Sequence, residues 1–383
     1  MLAHAQMTSA ERRLSLLAII AGCFGAGVGY GALHPLVALS LDEMDVSRGL
    51  IGANAALTNL AILIFGPFVP MVARRVGVVR ALLATAVIDL VILALFPTFP
   101  NFWVWCVLRF AGGAIGVLWW VVTETWLNLI ATDANRTRVF GLYGSALSSG
   151  FCLGPFAIAG VGSEGWAPWL IVLAAVALSA LPIVLARRLA PELPKHPDAH
   201  PLAVLRRAPV LLAAAAAAGA ADMAVTALLP LYGLSHGFSE QSAALMLTAF
   251  TVGTVMLQVP IGWAADVWSR RGMLLLCALL TVLGAALLPL LIGTGFALWA
   301  LLVVWGGIVF AIYTVALGLL GERFAPAELA MVNAAFIMAY NTGAGLGPVA
   351  AGGLMEAWSP DGMTVVVAVS GLMVLLAAVL RRA

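Results

Sequence analysis

The chain is a succession of apolar runs, each long enough to cross a lipid bilayer. A helix rises ~1.5 Å per residue and the hydrocarbon core is ~30 Å thick, so roughly 20 apolar residues make one crossing. Twelve such runs follow one another, at about 14–41, 50–73, 78–97, 101–130, 138–161, 166–186, 209–234, 241–265, 272–292, 295–320, 328–354 and 362–380. Several exceed 25 residues and contain Gly or Pro, which predicts tilt or kinks. The first run is longer than the ~7–15 apolar residues of a cleavable signal, so it reads as a retained helix. With 9% charged residues, against about 25% in a soluble domain, the chain is expected to be an all-α integral membrane protein of twelve transmembrane helices.

The basic residues test that count. The segments on the side of the N-terminus hold Arg12, Arg13, Arg74, Arg75, Arg80, Arg136, Arg138, Arg187, Arg188, Lys195, Arg206, Arg207, Arg270, Arg271, Arg323, Arg381 and Arg382, which are 17 of the 19. Arg48 alone falls on the other side, and Arg109 lies within a span. Positive residues stay in the cytoplasm, so both termini are expected there. The net charge of +2 adds little to this, because placement matters more than the sum.

The polar, Pro-rich segment 187–208 divides the chain into 1–186 and 209–383, six spans in each. The two parts repeat. GFCLGP at 150–155 matches GAGLGP at 343–348 at an offset of 193, and Pro70 to Arg80 corresponds to the segment from Gly262 to Gly272 at an offset of 192. Two landmarks with almost one offset predict two six-helix pseudo-repeats, an arrangement that puts a solute site near the midplane.

These features resemble the major facilitator superfamily along the whole chain. Gly262, Asp266, Arg270 and Arg271 follow the loop motif of that superfamily, with departures at Val267 and Ser269; its first-half copy is degraded, with Pro70 and Arg74 where Gly and Asp are expected. Arg109 with Gly112 and Gly113 is similar to the fourth-helix motif linked there to proton coupling. Gly141, Gly150, Gly154 and Pro155 fit the antiporter pattern of the fifth helix, with Gly343, Gly347 and Pro348 as their second-half echo. WWVVTETW, NRTRVFGLYG, LLPLYGLSHGFS, VPIGWAADVWSRR and the run from Tyr313 to Pro348 resemble the bacterial YcaD-like branch. Asp222 stands outside these segments.

Polar groups inside the spans are candidate functional residues, since each costs ~2.5–3.5 kcal/mol to insert if ionisable. Arg109, Gly113, Gly116, Trp120, Glu124 and Asn128 share one helical face, and Trp120 is placed to shape a pocket there. Arg109 and Asp89 lie ~12 and ~12–14 Å from the same membrane boundary, so one reading pairs them. The other leaves Arg109 free to hold an anionic substrate or to tune a neighbouring acid. Glu124 reads either as a proton carrier, because a carboxylate in low dielectric holds its proton more tightly, or as a gate partner of Arg136 or Arg138. The resemblance implies that the seventh span borders the central cavity, where Asp222 would meet protons or substrate; the other reading makes it a satisfied polar group of helix packing. His34, Tyr30, Asn54 and Asn59 are structural or relay groups of the first two spans. Asn333, Tyr340 and Asn341 line the second half of the cavity or pack within it.

Cys23, Cys106, Cys152 and Cys277 sit singly in apolar runs and read as buried small hydrophobes. There is no Walker A, HExxH, CxxCH or Cys/His cluster, which disfavours ATP-driven transport, metalloprotease activity and electron transfer. The expectation is a monomeric secondary active transporter, not an enzyme, working by alternating access on a small organic solute. It would need the lipid bilayer, no nucleic acid and no cofactor, with a proton gradient as driving force. Efflux by proton antiport is the leading reading and metabolite uptake by symport the alternative. A non-transporting membrane partner is a third, of a different class.

Overall fold

The computed structural model describes residues 7–46, 48–162, 164–191, 207–357 and 360–380. Residues 192–206, most of the expected linker, lie outside the described residues, as do Lys195, Arg206, Arg381 and Arg382. Among the described residues there are thirteen α-helices. They are α1 (Ser9–Glu43), α2 (Arg48–Phe65), α3 (Val69–Val76), α4 (Val78–Thr98), α5 (Phe102–Ile130), α6 (Arg136–Val161), α7 (Ala167–Leu185), α8 (Pro209–Ser235), α9 (Glu240–Val267), α10 (Arg270–Leu291), α11 (Phe296–Arg323), α12 (Leu329–Ala357) and α13 (Gly362–Leu380). Eleven helical segments are long and apolar enough to cross a membrane. The remaining span of the twelve-helix fold is α6, helical over 26 residues despite its Gly and Ser content.

Local chemistry sets the helix ends. Thr8 and Glu11 form a reciprocal capping box that starts α1. Asn101 accepts from Trp103 N and Val104 N to start α5. The second span is one crossing in two helices, because Pro67 and Pro70 remove backbone donors and a 3-10 turn, Gly66–Phe68, separates α2 from α3. Gly77, at φ +88°, makes the break between α3 and α4 that a residue with a Cβ would resist.

Two compact units emerge, Met1–Ala131 with Ala146–Pro201 and Phe324–Ala334, and Thr132–Ser145 with Leu202–Arg323 and Ala335–Ala383. In the first, α1 packs on α7, α2 and α4 on α5, and α4 on α7. In the second, α8 packs on α13, α9 and α10 on α11, and α10 on α13, which is the same set of neighbours six spans later. The six-helix pseudo-repeat is therefore present in the packing as well as in the sequence offsets.

Glycines explain how close these helices come. A Cβ at Gly27 or Gly31 would stand 2.6 Å from a backbone oxygen of α6, and Gly150 and Gly154 in turn lie against the α1 backbone. Gly343 and Gly347 lie in the same way against Ala216 and Ala220 of α8. Small residues permit such contact, and in a bilayer van der Waals packing rather than water exclusion holds helices together. Aromatic cores complete each unit. In the first, Phe96, Trp105 and Trp169 pack mutually, with the Trp105 indole donating to Phe96 O and Phe99 O. In the second, Phe250 and Trp305 meet edge to face, and the Trp305 indole donates to Thr281 O.

Candidate functional site

In the first unit a polar cluster forms where α1, α2, α4 and α5 meet. Gly113 allows α5 to touch α2, since a Cβ there would lie 2.5 Å from Thr58 O. Thr58 Oγ1 then donates to Arg109 O at 3.4 Å. The Arg109 side chain reaches α1, with Nη1 3.3 Å from His34 Nδ1. Arginine only donates, so Nδ1 must carry a lone pair and the imidazole proton sits on Nε2. Asp89 does not pair with Arg109. Its Oδ2 accepts the Tyr30 hydroxyl at 2.8 Å, and among the described residues no carboxylate lies within 4.0 Å of Arg109. The two residues share a depth, but Asp89 is turned towards α1. Trp120 stands 5.7 Å from Tyr30, ring to ring, and Gly116 leaves room for the Tyr30 hydroxyl. Asn54 is buried and donates to Cys106 Sγ at 3.4 Å.

Further along α5 the side chains turn inward. Glu124 is buried. Asn333 is 0% exposed, donating to Thr125 Oγ1 at 3.0 Å and accepting from Asn128 Nδ2 at 3.4 Å. Both ends of that amide are engaged within the protein, as buried polar groups usually are. The Asn341 amide bonds Ile337 O of its own helix.

The second unit holds Asp222. Its Oδ2 accepts the Tyr340 hydroxyl at 2.8 Å, and Tyr340 rests edge-on against Tyr313 at 5.0 Å. Among the described residues no cation lies within 4.0 Å of Asp222. In the same unit, the fully buried Gln258 donates to Gly307 O at 2.9 Å and accepts from Thr314 Oγ1 at 2.7 Å.

The loop motif also lies in the second unit. Asp266 accepts from Thr137 N at 3.0 Å and Arg138 N at 2.8 Å, so it caps the first turn of α6 from another helix. Asn135 precedes that turn, but its amide oxygen is engaged by Thr132. Arg270 bonds Asp266, Glu322, Thr137 Oγ1 and Asp133 O. Gly262 permits the approach, since a Cβ would lie 2.6 Å from Thr137 O, while Arg271 is exposed. The Arg136 guanidinium, 2.8 Å from Asp133, holds that carboxyl below the usual carboxylate range by hydrogen bonding to it.

Sequence reasoning singled out Arg109, His34, Asp89, Asp222 and Tyr340 without their pairings. It passed over Gln258, Thr314 and Thr58. Gln258 was detectable as an amide in the middle of an apolar run, the criterion that exposes Asp222. Among the described residues no group of three His, Cys, Asp or Glu is placed to hold a metal ion, and the four cysteines are free.

Twelve membrane-spanning helices in two repeats, with ionisable groups held inside the spans, define a polytopic solute carrier. A sequence model of the Major Facilitator Superfamily matches residues 16–246 and 211–383, and the chain belongs to that family. It is accordingly a multi-pass, secondary-active transporter of a small solute that works by alternating access, and not an enzyme. It is 25% identical over 342 residues to the uncharacterized MFS-type transporter YfkF of Bacillus subtilis, covering 86% of each chain. It is 24% identical over 357 residues to the uncharacterized MFS-type transporter YcaD of Shigella flexneri, covering 92% of each. The fold is similar to that of the Escherichia coli fucose:proton symporter FucP, with a TM-score of 0.77 at 15% identity over 95% of this chain and 98% of the other.

Proposed function

We propose that the chain couples passage of a small organic solute to protons in a bacterial inner membrane. The observation that supports this best is the state of the two aspartates. Asp89 and Asp222 are each held by one tyrosine hydroxyl and by no cation among the described residues. A carboxyl in that setting gains or loses a proton without breaking an ion pair. Glu124, buried on the charged face of α5, is a third carrier in this reading. Both termini lie in the cytoplasm, 1–186 and 209–383 are the moving halves, 187–208 joins them, and the monomer suffices.

The glycine pattern that leans towards antiport does not decide direction. Gly150 and Gly154 pack α6 on α1, and Gly343 and Gly347 pack α12 on α8 in the same manner. A pattern that serves helix packing in both repeats carries no sign of transport. Asp222 suits efflux by antiport. Its Oδ1 takes no hydrogen bond from a described residue, so a proton and a cationic solute would compete for it.

The test begins with thermal stability of the purified protein against metabolites and drugs, since a ligand at 100 times its Kd adds about 2.7 kcal/mol. Hits go into proteoliposomes with an imposed pH gradient and an internal pH dye. Symport predicts solute accumulation and acidification of the same compartment, lost in Asp89→Asn and Asp222→Asn. Gradient-driven accumulation that survives both substitutions would sink the proton reading, and solute expulsion against proton entry would establish antiport.

A further inference from the structure

We infer that Arg109 and His34 form a recognition site for an organic anion, in which binding of the anion draws a proton onto His34. The inference rests on the proton-coupled reading above and names its substrate class.

The starting point is a cation that lacks a counter-ion. Arg109 is 5% exposed, and among the described residues its Nε has no hydrogen-bond partner and its one side-chain hydrogen bond is with His34. Each neighbouring helix has a polar group that turns elsewhere. On α4, Asp89 is engaged by Tyr30 of α1. On α2, Thr58 bonds the Arg109 carbonyl rather than its guanidinium, and Asn54 bonds Cys106. A buried charge is unfavourable until it is paired. An incoming carboxylate supplies the missing charge, and guanidinium offers it a fork of N–H donors.

The proton follows from donor counting. In the empty site Arg109 Nη1 donates to His34 Nδ1, so the imidazole is neutral with its hydrogen on Nε2. His34 itself is exposed, and we take this as the side from which a solute arrives. A second proton, on Nδ1, would set two donors and two positive charges face to face across 3.3 Å. With an anion present that conflict disappears. Arg109 turns its N–H to the anion, a proton from water occupies Nδ1, and imidazolium and guanidinium both donate to the anion. Each ligand raises the affinity for the other, and by linkage the effect is reciprocal. The titratable groups facing His34 are Arg109, and Tyr30 with Asp89 about one turn away on α1 and across on α4.

Full-length protein in proteoliposomes tests this with lactate, succinate and benzoate as probes, each matched with its neutral amide. At least one anion, and not its amide, is expected to bind and to acidify the lumen as it enters. Arg109→Gln should weaken that binding about 10- to 100-fold, the equivalent of one charge-assisted hydrogen bond. His34→Gln keeps an acceptor for Arg109 and an outward donor but takes no proton. It should flatten the pH dependence, so that affinity at pH 6 falls to that at pH 8, and proton entry should stop. A reading independent of transport is 15N-histidine NMR of the substrate-free protein, with the His34 signal assigned by its loss in H34Q. The Nε2–H tautomer is expected at neutral pH.

An Nδ1–H or doubly protonated His34 in the empty protein overturns the inference, as does equal binding of anion and amide, no binding of any probe, or undiminished binding in R109Q. Full proton entry in H34Q overturns the linkage. If instead a neutral or cationic solute moves with protons, the proton-coupled reading stands and the anion site falls. If anions bind at Arg109 while no solute moves protons, the coupled reading fails and the recognition site remains.

Discussion

Replacing Asp266 with Asn is expected to loosen the joint between α9 and the start of α6 by about 3 kcal/mol. The Asp266 side chain is 0% exposed and accepts four hydrogen bonds, from Thr137 N, Arg138 N, Arg270 Nε and Arg270 Nη2, at 2.8 to 3.0 Å. Oδ2 serves Arg138 N alone, and Oδ1 serves the other three. Asn keeps one carbonyl oxygen but sets an NH2 group where Oδ2 stood, opposed to the Arg138 N–H. Loss of a cap costs about 1 kcal/mol, and each hydrogen bond to a charged group contributes about 1.5–3 kcal/mol. Breaking a buried pair outright costs about 3–5 kcal/mol, and Asn breaks it only in part. With an unfolding entropy of ~2.1 cal/mol/K per residue, the loss corresponds to a Tm about 4 °C lower for the 383-residue chain. The assay is thermal unfolding in detergent, with Glu322→Gln as comparison. Glu322 also pairs with Arg270, at 2.9 Å, but its side chain is 53% exposed, so its loss should cost under about 1 kcal/mol. If D266N melts within 1 °C of wild type, or E322Q shifts Tm equally, the buried cap does not hold this joint.

Three further outcomes are open to measurement. Gly343→Ala should destabilise by about 1–3 kcal/mol, because its Cβ would run into the Ala216 carbonyl, whereas Gly345→Ala, with nothing within 4 Å, should be neutral or slightly stabilising in the same melting assay. Tyr340→Phe should cost about 1.5–3 kcal/mol in wild type and much less in Asp222→Asn, and a double-mutant cycle with no coupling would show that the 2.8 Å bond contributes nothing. The depressed Asp133 carboxyl adds stability above the ordinary aspartate value of about 3.9, lost as pH falls through its lower folded value. The Tm difference between wild type and Asp133→Asn should therefore shrink below about pH 4; since the Asp133 side chain is 84% exposed, the effect is small, and a difference that grows in acid would reverse the assignment.

Much of the architecture was legible in the chain because the bilayer imposes it. A hydrocarbon core of set thickness requires runs of set length, and Arg and Lys resist crossing it. The spans and their number follow from those constraints alone, and the repeat offset from two pairs of matching segments. The same solvent made Arg109, Asp89, Glu124 and Asp222 conspicuous, since an ionisable group in an apolar run is rare. Partnership was another matter. Arg109 and Asp89 were matched by depth, and depth is all that the rise per residue provides. Which way a side chain points depends on the rotation of each helix about its axis.

Rotation is set by packing between residues far apart in the chain. Gly113 against Thr58 and Gly116 beside Tyr30 turn α5 so that Arg109 meets His34 while Tyr30 takes Asp89. Asp266 caps a helix that begins 130 positions earlier, and Asn333 bonds Thr125, more than 200 positions away. The sequence by itself determined that this is a twelve-span carrier with charges in its membrane interior, because insertion energetics act on each segment separately. Only the tertiary structure decided which neighbour each of those charges meets, because pairing is a property of two helices and the angle between their faces.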